Sequence, residues 1–151
     1  MKGFLLKRSI GEDFREKLLA QDESMGSAIA DGLQLALPAI ALTQHGALST
    51  AFANDAVPEL GFAQQVLGYG LPGDLLLCLS TSGNSRNVLC AALTAKALGL
   101  VVVGMTGRAG GALASRCDVL VAVDEVETYK IQELHLPAYH AICRIVEKAF
   151  F

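Results

Sequence analysis

The amino-acid sequence predicts an α/β fold, a parallel β-sheet flanked by helices, and three observations predict it. Short apolar runs alternate along the chain with helical patterns, the order from which parallel sheets with right-handed crossovers are built. The runs are apolar nearly throughout rather than alternating, as expected of parallel strands covered on both faces. One run, Leu75-Leu76-Leu77-Cys78-Leu79, passes directly into the hydroxyl-rich turn Ser80-Thr81-Ser82-Gly83-Asn84-Ser85-Arg86-Asn87 and then into an apolar helical pattern. That order is strand, turn, helix start.

The elements follow in sequence. Residues 2–7 read as the tail of a helix, a polar stretch spans Gly11 to Lys17, and residues 27–35 are weakly helical. Pro38-Ala39-Ile40-Ala41-Leu42-Thr43 is the first strand candidate. Residues 47–67 read as two helical pieces broken around Asn54–Pro58, and residues 74–79 as the second strand. A helix over 85–98 carries Val88, Leu89, Ala92, Leu93, Ala95 and Leu98, and Gly99 stops it. Residues 101–106 form the third strand, closed by Gly107; a short helix over 111–116 and a fourth strand over 119–123 come next. A long helix over 128–150 ends the chain.

At 151 residues the chain suits one domain, residues 1–151, with a real core. Hydrophobic residues at 52% against 18% charged exclude disorder and point to surface buried against other subunits. A net charge of −3 argues against a nucleic-acid backbone as direct partner. No apolar run approaches the ~20 residues that span a bilayer, so no membrane partner is expected. Met1 to Arg8 lacks the long apolar centre of a signal peptide. Cys78, Cys90, Cys117 and Cys143 stand far apart with no C-x-x-C pair, which reads as reduced core thiols and a cytoplasmic location.

The hydroxyl turn carries the chemistry. Ser80, Thr81, Ser82 and Ser85 each offer an O–H, and the start of the following helix adds N–H groups and the positive end of its dipole. A helix cap requires one such side chain, and four hydroxyls in six residues exceed that need. The turn also stands where open α/β sheets bind ligands, at the carboxyl ends of strands. A phosphate is the natural occupant. Gly107-Arg108-Ala109-Gly110-Gly111 is glycine-rich without nucleotide-loop spacing; Arg108 could reach a ligand, but the turn reads more readily as a plain surface connection. Asn54-Asp55 has two readings, a cap for the next helix or a hydrogen-bonding pair for sugar hydroxyls. The final helix holds Gln132, Glu133, His135 and His140, residue types that can carry protons for enolisation. Gln132 and His140 lie about 12 Å and ~80° apart on an ideal helix; they can converge through long reach or a bend at Pro137. On spacing alone either histidine is more readily structural than catalytic.

Taken together these residues resemble a known family. Ser80-Thr81-Ser82-Gly83-Asn84-Ser85 is similar to the phosphosugar-binding signature of the SIS (sugar isomerase) domain, a flavodoxin-like three-layer sandwich. Residues 38–43, 51–55 and 129–135 through His140 resemble its phosphoheptose isomerase branch, which also contains the DnaA-associating initiation protein. The resemblance implies isomerisation of sedoheptulose 7-phosphate to D-glycero-D-manno-heptose 7-phosphate through an enediol. It further implies that Ser80, Thr81, Ser82 and Ser85 hold the phosphate and that Asn54 and Asp55 contact the sugar. Gln132 would bind substrate and, in zinc-containing members, the metal; His140 would be acid/base and metal ligand. His135 receives no role. A homotetramer is implied, and a non-catalytic phosphosugar-binding module is the alternative function.

One departure matters. Family members begin with a helix, a strand, a G-N-G-G-S loop and a helix bearing H-x-x-x-E, whereas Met1 to Lys7 resembles the segment after that helix. The expectation is that the first family strand and helix are missing. With them go the carboxylate base and a further histidine ligand, leaving Gln132 and His140 as too few for a closed zinc site.

Overall fold

The computed structural model describes residues 8–151, so the helix tail expected over 2–7 lies outside the described residues. The chain divides into two compact units, one comprising the residues up to Ile40 and those from Ala138 onward, the other Ala41–Pro137.

In the first unit the stretch expected to be merely polar is helical. Helix α1, Glu12–Gln21, buries no residue, which is why apolar periodicity did not reveal it. Local terms support it: Glu12 and Asp13 lie in its first turn, favourable for the helix dipole, and Lys17 pairs with Asp13 at 2.8 Å one turn away. Asp22 ends α1 and starts α2, Glu23–Gly32, its carboxylate accepting the Met25 N–H at 2.7 Å. Arg15 and Asp31 join the two helices at 2.6 Å.

Residues 38–43, expected to be the first strand, are not one. The Ala41 carbonyl instead accepts the Gln44 N–H in a turn. A strand is not a local structure: its amides need a neighbouring strand, and among the described residues none lies beside this run, which opens on a proline that has no N–H to offer.

The second unit holds the sheet. Strands β1 (Leu75–Leu79), β2 (Val101–Thr106) and β3 (Val119–Ala122) lie in the order β1-β2-β3, all parallel, with Leu75 opposite Val101 and Val103 opposite Val119. Helix α3 (Gly46–Asp55), a 3-10 turn (Pro58–Leu60) and α4 (Gly61–Tyr69) precede the sheet. Helix α5 (Arg86–Ala97) crosses from β1 to β2. Ala91, Ala92 and Ala95 of α5 pack with Cys78, Val102, Leu113, Val66 and Leu100; the small side chains let the helix settle close on the sheet. The short helix after β2 is a single 3-10 turn, Gly111–Leu113.

Coverage on both faces holds for β2, where Val102 and Met105 point to opposite sides and both are 0% exposed. It fails for β1: Cys78 is buried, while Leu75 and Leu79 on the other face are 60% and 48% exposed. Strand β1 is an edge strand among the described residues, and its apolar character exceeds what its observed cover requires. Helix α6, Thr128–Phe150, has the expected bounds and carries Pro137 within it. The two units meet in sequence inside α6, so Gln132 and His135 belong to the second and His140 to the first. Among the described residues no helix is long and apolar enough to cross a membrane.

Candidate functional site

The site starts at the carboxyl end of β1. Leaving the sheet, Ser80 still donates its N–H to Met105 of β2 at 3.0 Å and is buried. The chain then reverses through Gly83, whose N–H returns to the Ser80 carbonyl at 2.9 Å. Gly83 has φ +65°, and a Cβ there would stand 1.9 Å from the Gly110 carbonyl oxygen. Glycine is therefore required at this point, both for conformation and for space.

A second loop holds the turn in shape. The Gly107 N–H donates to Thr81 O, Leu113 N–H to Gly83 O, and Ala112 N–H to Asn84 Oδ1, each at 2.9 Å. The glycine-rich loop is thus more than a surface connection. It acts as a clamp, and Asn84 reaches across to complete it. Neither role was visible from local sequence, because the bonds join residues 26 to 30 positions apart.

Hydroxyl chemistry follows from this frame. The Ser80 hydroxyl donates to Ser85 Oγ at 3.0 Å, which leaves the Ser85 proton available to a ligand. The Ser82 oxygen accepts the Asn84 N–H at 3.1 Å, likewise leaving its own proton. Thr81 is half-buried, and its hydroxyl has no bonding partner among the described residues. Ser85 is the N-cap residue of α5, yet its side chain makes no cap bond; Asn87 Oδ1 accepts the Val88 N–H at 2.9 Å instead. Hydroxyls and a helix start are thereby held together without being consumed by capping.

The neighbouring cations are already engaged. Arg86 pairs with Glu59 at 2.5 Å and Arg108 with Asp124 at 2.5 Å. An anion at the turn would be met by O–H and N–H donors and by the dipole of α5. The Arg86–Glu59 pair also ties the start of α5 to the connection that follows Asp55.

Asn54 and Asp55 are the exposed last residues of α3. They cap neither following helix: the residues at those positions are Val57 and Leu60. Asp55 has no cation partner among the described residues, and an acid at a helix carboxyl end works against the dipole. Gln132 is exposed on α6. His140 is exposed in the other unit, its ring edge-on to Tyr139 at 4.9 Å. His135 is 4% exposed, with Nε2 3.1 Å from the Thr106 carbonyl oxygen.

A hydroxyl-lined turn at the end of a parallel strand, closed by a second loop and opening a helix, defines an α/β domain with a cluster of hydrogen-bond donors at the carboxyl end of its sheet. A profile of the SIS domain matches residues 24–107, and the chain belongs to the SIS domain family. Its relatives there are phosphoheptose isomerases. The enzyme of Nitratidesulfovibrio vulgaris is 44% identical over 115 residues, 76% of this chain and 55% of that protein. The enzyme of Crocosphaera subtropica is 48% identical, covering 76% of this chain and 59% of that one. Among solved structures, a phosphoheptose isomerase from Neisseria gonorrhoeae matches with a TM-score of 0.71 and 36% identity, over 89% of this chain and 70% of that one. One from Francisella tularensis matches with a TM-score of 0.73 and 35% identity, over 91% and 69% respectively. The chain spans between a half and two thirds of the length of these curated relatives.

Proposed function

We propose that this chain is the phosphate-gripping part of a phosphosugar aldose–ketose isomerase that interconverts sedoheptulose 7-phosphate and D-glycero-D-manno-heptose 7-phosphate. The observation that carries the reading is the hydroxyl turn, with the Ser82 and Ser85 protons left for a ligand by the bonds from Asn84 and Ser80. In this reading Ser80, Thr81, Ser82 and Ser85 seat the phosphate, and Asn54, Asp55 and Gln132 bind the sugar. From the ketose, a base takes a proton from C1 while O2 gains one, giving the enediol; a proton returned to C2 with loss of the proton on O1 gives the aldose. His140 takes the acid/base part by resemblance.

Zinc does not fit the residues present. Among the described residues no group of three or more His, Cys, Asp or Glu could hold a metal ion. The 52% apolar composition and the exposed leucines of β1 support burial against further copies of the chain, and the homotetramer with one domain per chain follows from the resemblance. The free thiols of Cys78, Cys90 and Cys117 support a cytoplasmic location.

A second reading is a phosphosugar-binding module without turnover. It is favoured by the completeness of the turn and its clamp within this chain. Calorimetry with sedoheptulose 7-phosphate, together with deuterium uptake at C1 and C2 in D₂O, separates the two. Binding with uptake supports the isomerase, binding without uptake supports the module, and no binding refutes both.

A further inference from the structure

His135 was singled out by the sequence and has no part in the chemistry above. We propose that it is a positioning residue, holding the sugar-binding Gln132 in place through the Thr106 carbonyl; this rests on the phosphosugar reading. A carbonyl oxygen has no proton, so Nε2 carries the hydrogen and donates across the 3.1 Å contact. The Thr106 oxygen already accepts the Val123 N–H at 3.0 Å. It would therefore not be orphaned without the histidine, and the bond serves orientation rather than satisfaction.

The next residue repeats the contact by shape. A Cβ on Gly107 would stand 2.5 Å from Ile131 Cδ1, so the absence of a side chain there is the seat for Ile131, itself 3% exposed. Ile131 and His135 lie four residues apart on one face of α6. They rest on Thr106 and Gly107, and Gly107 passes the frame to the hydroxyl turn through its bond to Thr81 O. Gln132 lies about 100° around the helix from Ile131 and is exposed. Any roll or slide of α6 on this seat carries Gln132 with it. A purely apolar residue at 135 could fill the buried space, but it would not select one rotation of the helix.

The test is a double-mutant cycle on the full chain, with sedoheptulose 7-phosphate and inorganic phosphate as calorimetric probes. His135→Phe is expected to weaken the sugar phosphate about tenfold, the worth of one lost hydrogen bond, and to leave inorganic phosphate within about twofold. His135→Gln, which keeps an N–H donor, is expected to recover most of the loss, and it stands as the test if the phenylalanine variant fails to fold. His135→Phe combined with Gln132→Ala is expected to bind no worse than Gln132→Ala alone. Multiplicative losses, an unchanged sugar-phosphate affinity in His135→Phe, or an equal loss for both probes would each overturn the role. If the wild-type chain binds neither probe, the phosphosugar reading falls and this role with it. If the wild type binds both and His135→Phe matches it, this role alone falls.

Discussion

Replacing Gly83 by alanine tests the clamp most directly. The added Cβ would occupy left-handed backbone at φ +65° and stand 1.9 Å from the Gly110 carbonyl oxygen and 2.6 Å from its carbon. The conformational part alone costs about 1–2 kcal/mol. Relieving the overlap requires the two loops to separate by well over 1 Å, measured against ordinary carbon contacts of ~3.5 Å. That separation breaks the bonds from Leu113 N–H to Gly83 O and from Ala112 N–H to Asn84 Oδ1, both 2.9 Å, at about 0.5–1.5 kcal/mol each. The expected loss is therefore about 2–5 kcal/mol. Gly73 supplies the control: its φ is +92°, and a Cβ there meets nothing within 4 Å, so Gly73→Ala should show only the conformational cost. Urea denaturation of both variants measures the difference, and phosphate titration of the folded fraction measures its consequence. Equal stability losses for the two variants, or an unchanged phosphate affinity in Gly83→Ala, would refute the clamp.

Three further outcomes follow from the same geometry. Asp55→Asn removes an unpaired acid from the last turn of α3 and should raise stability by about 0.3–1 kcal/mol while weakening sugar-phosphate binding; a loss of stability on urea denaturation would count against the assignment. Ser85→Ala removes the acceptor of the Ser80 hydroxyl and should weaken both inorganic and sugar phosphate about tenfold, with unchanged titration curves as the contrary result. Burial, with Cys117 nearby, pushes the Cys78 thiol up to about 11. Its folded value lies above the unfolded one, so its contribution is complete below pH ~9 and is lost as pH rises through 11, on the order of 2 kcal/mol in all. Cys78→Ala should flatten that alkaline limb in urea denaturation followed against pH.

How much was legible depended on how local each cause was. The bounds of α5 and α6 follow from periodicity, a terminating glycine and apolar spacing within each segment, and they stand as expected. The run 38–43 has strand composition, but pairing is made by a neighbour, and the sequence of the run does not contain one. Helix α1 was missed for the opposite reason, since acidic residues in its first turn and the Asp13–Lys17 pair support it rather than an apolar face. In the site, the four hydroxyls could be read directly. Asn84, the Gly107–Gly111 clamp and His135 act across 26 to 30 positions, as in Ala112 to Asn84 and His135 to Thr106, and no local pattern announces them.

The sequence by itself determined the parallel α/β class, the alternation of strands and helices from residue 75 onward and the hydroxyl-rich turn after β1. Apolar runs, glycine stops and clustered hydroxyls act through near neighbours and remain visible in one dimension. Tertiary structure decided which hydroxyl protons remain for a ligand, which cations are already paired, which face of β1 is bare and how α6 sits on the end of β2. Each of those depends on what distant residues place alongside, and that proximity arises only when the chain has folded.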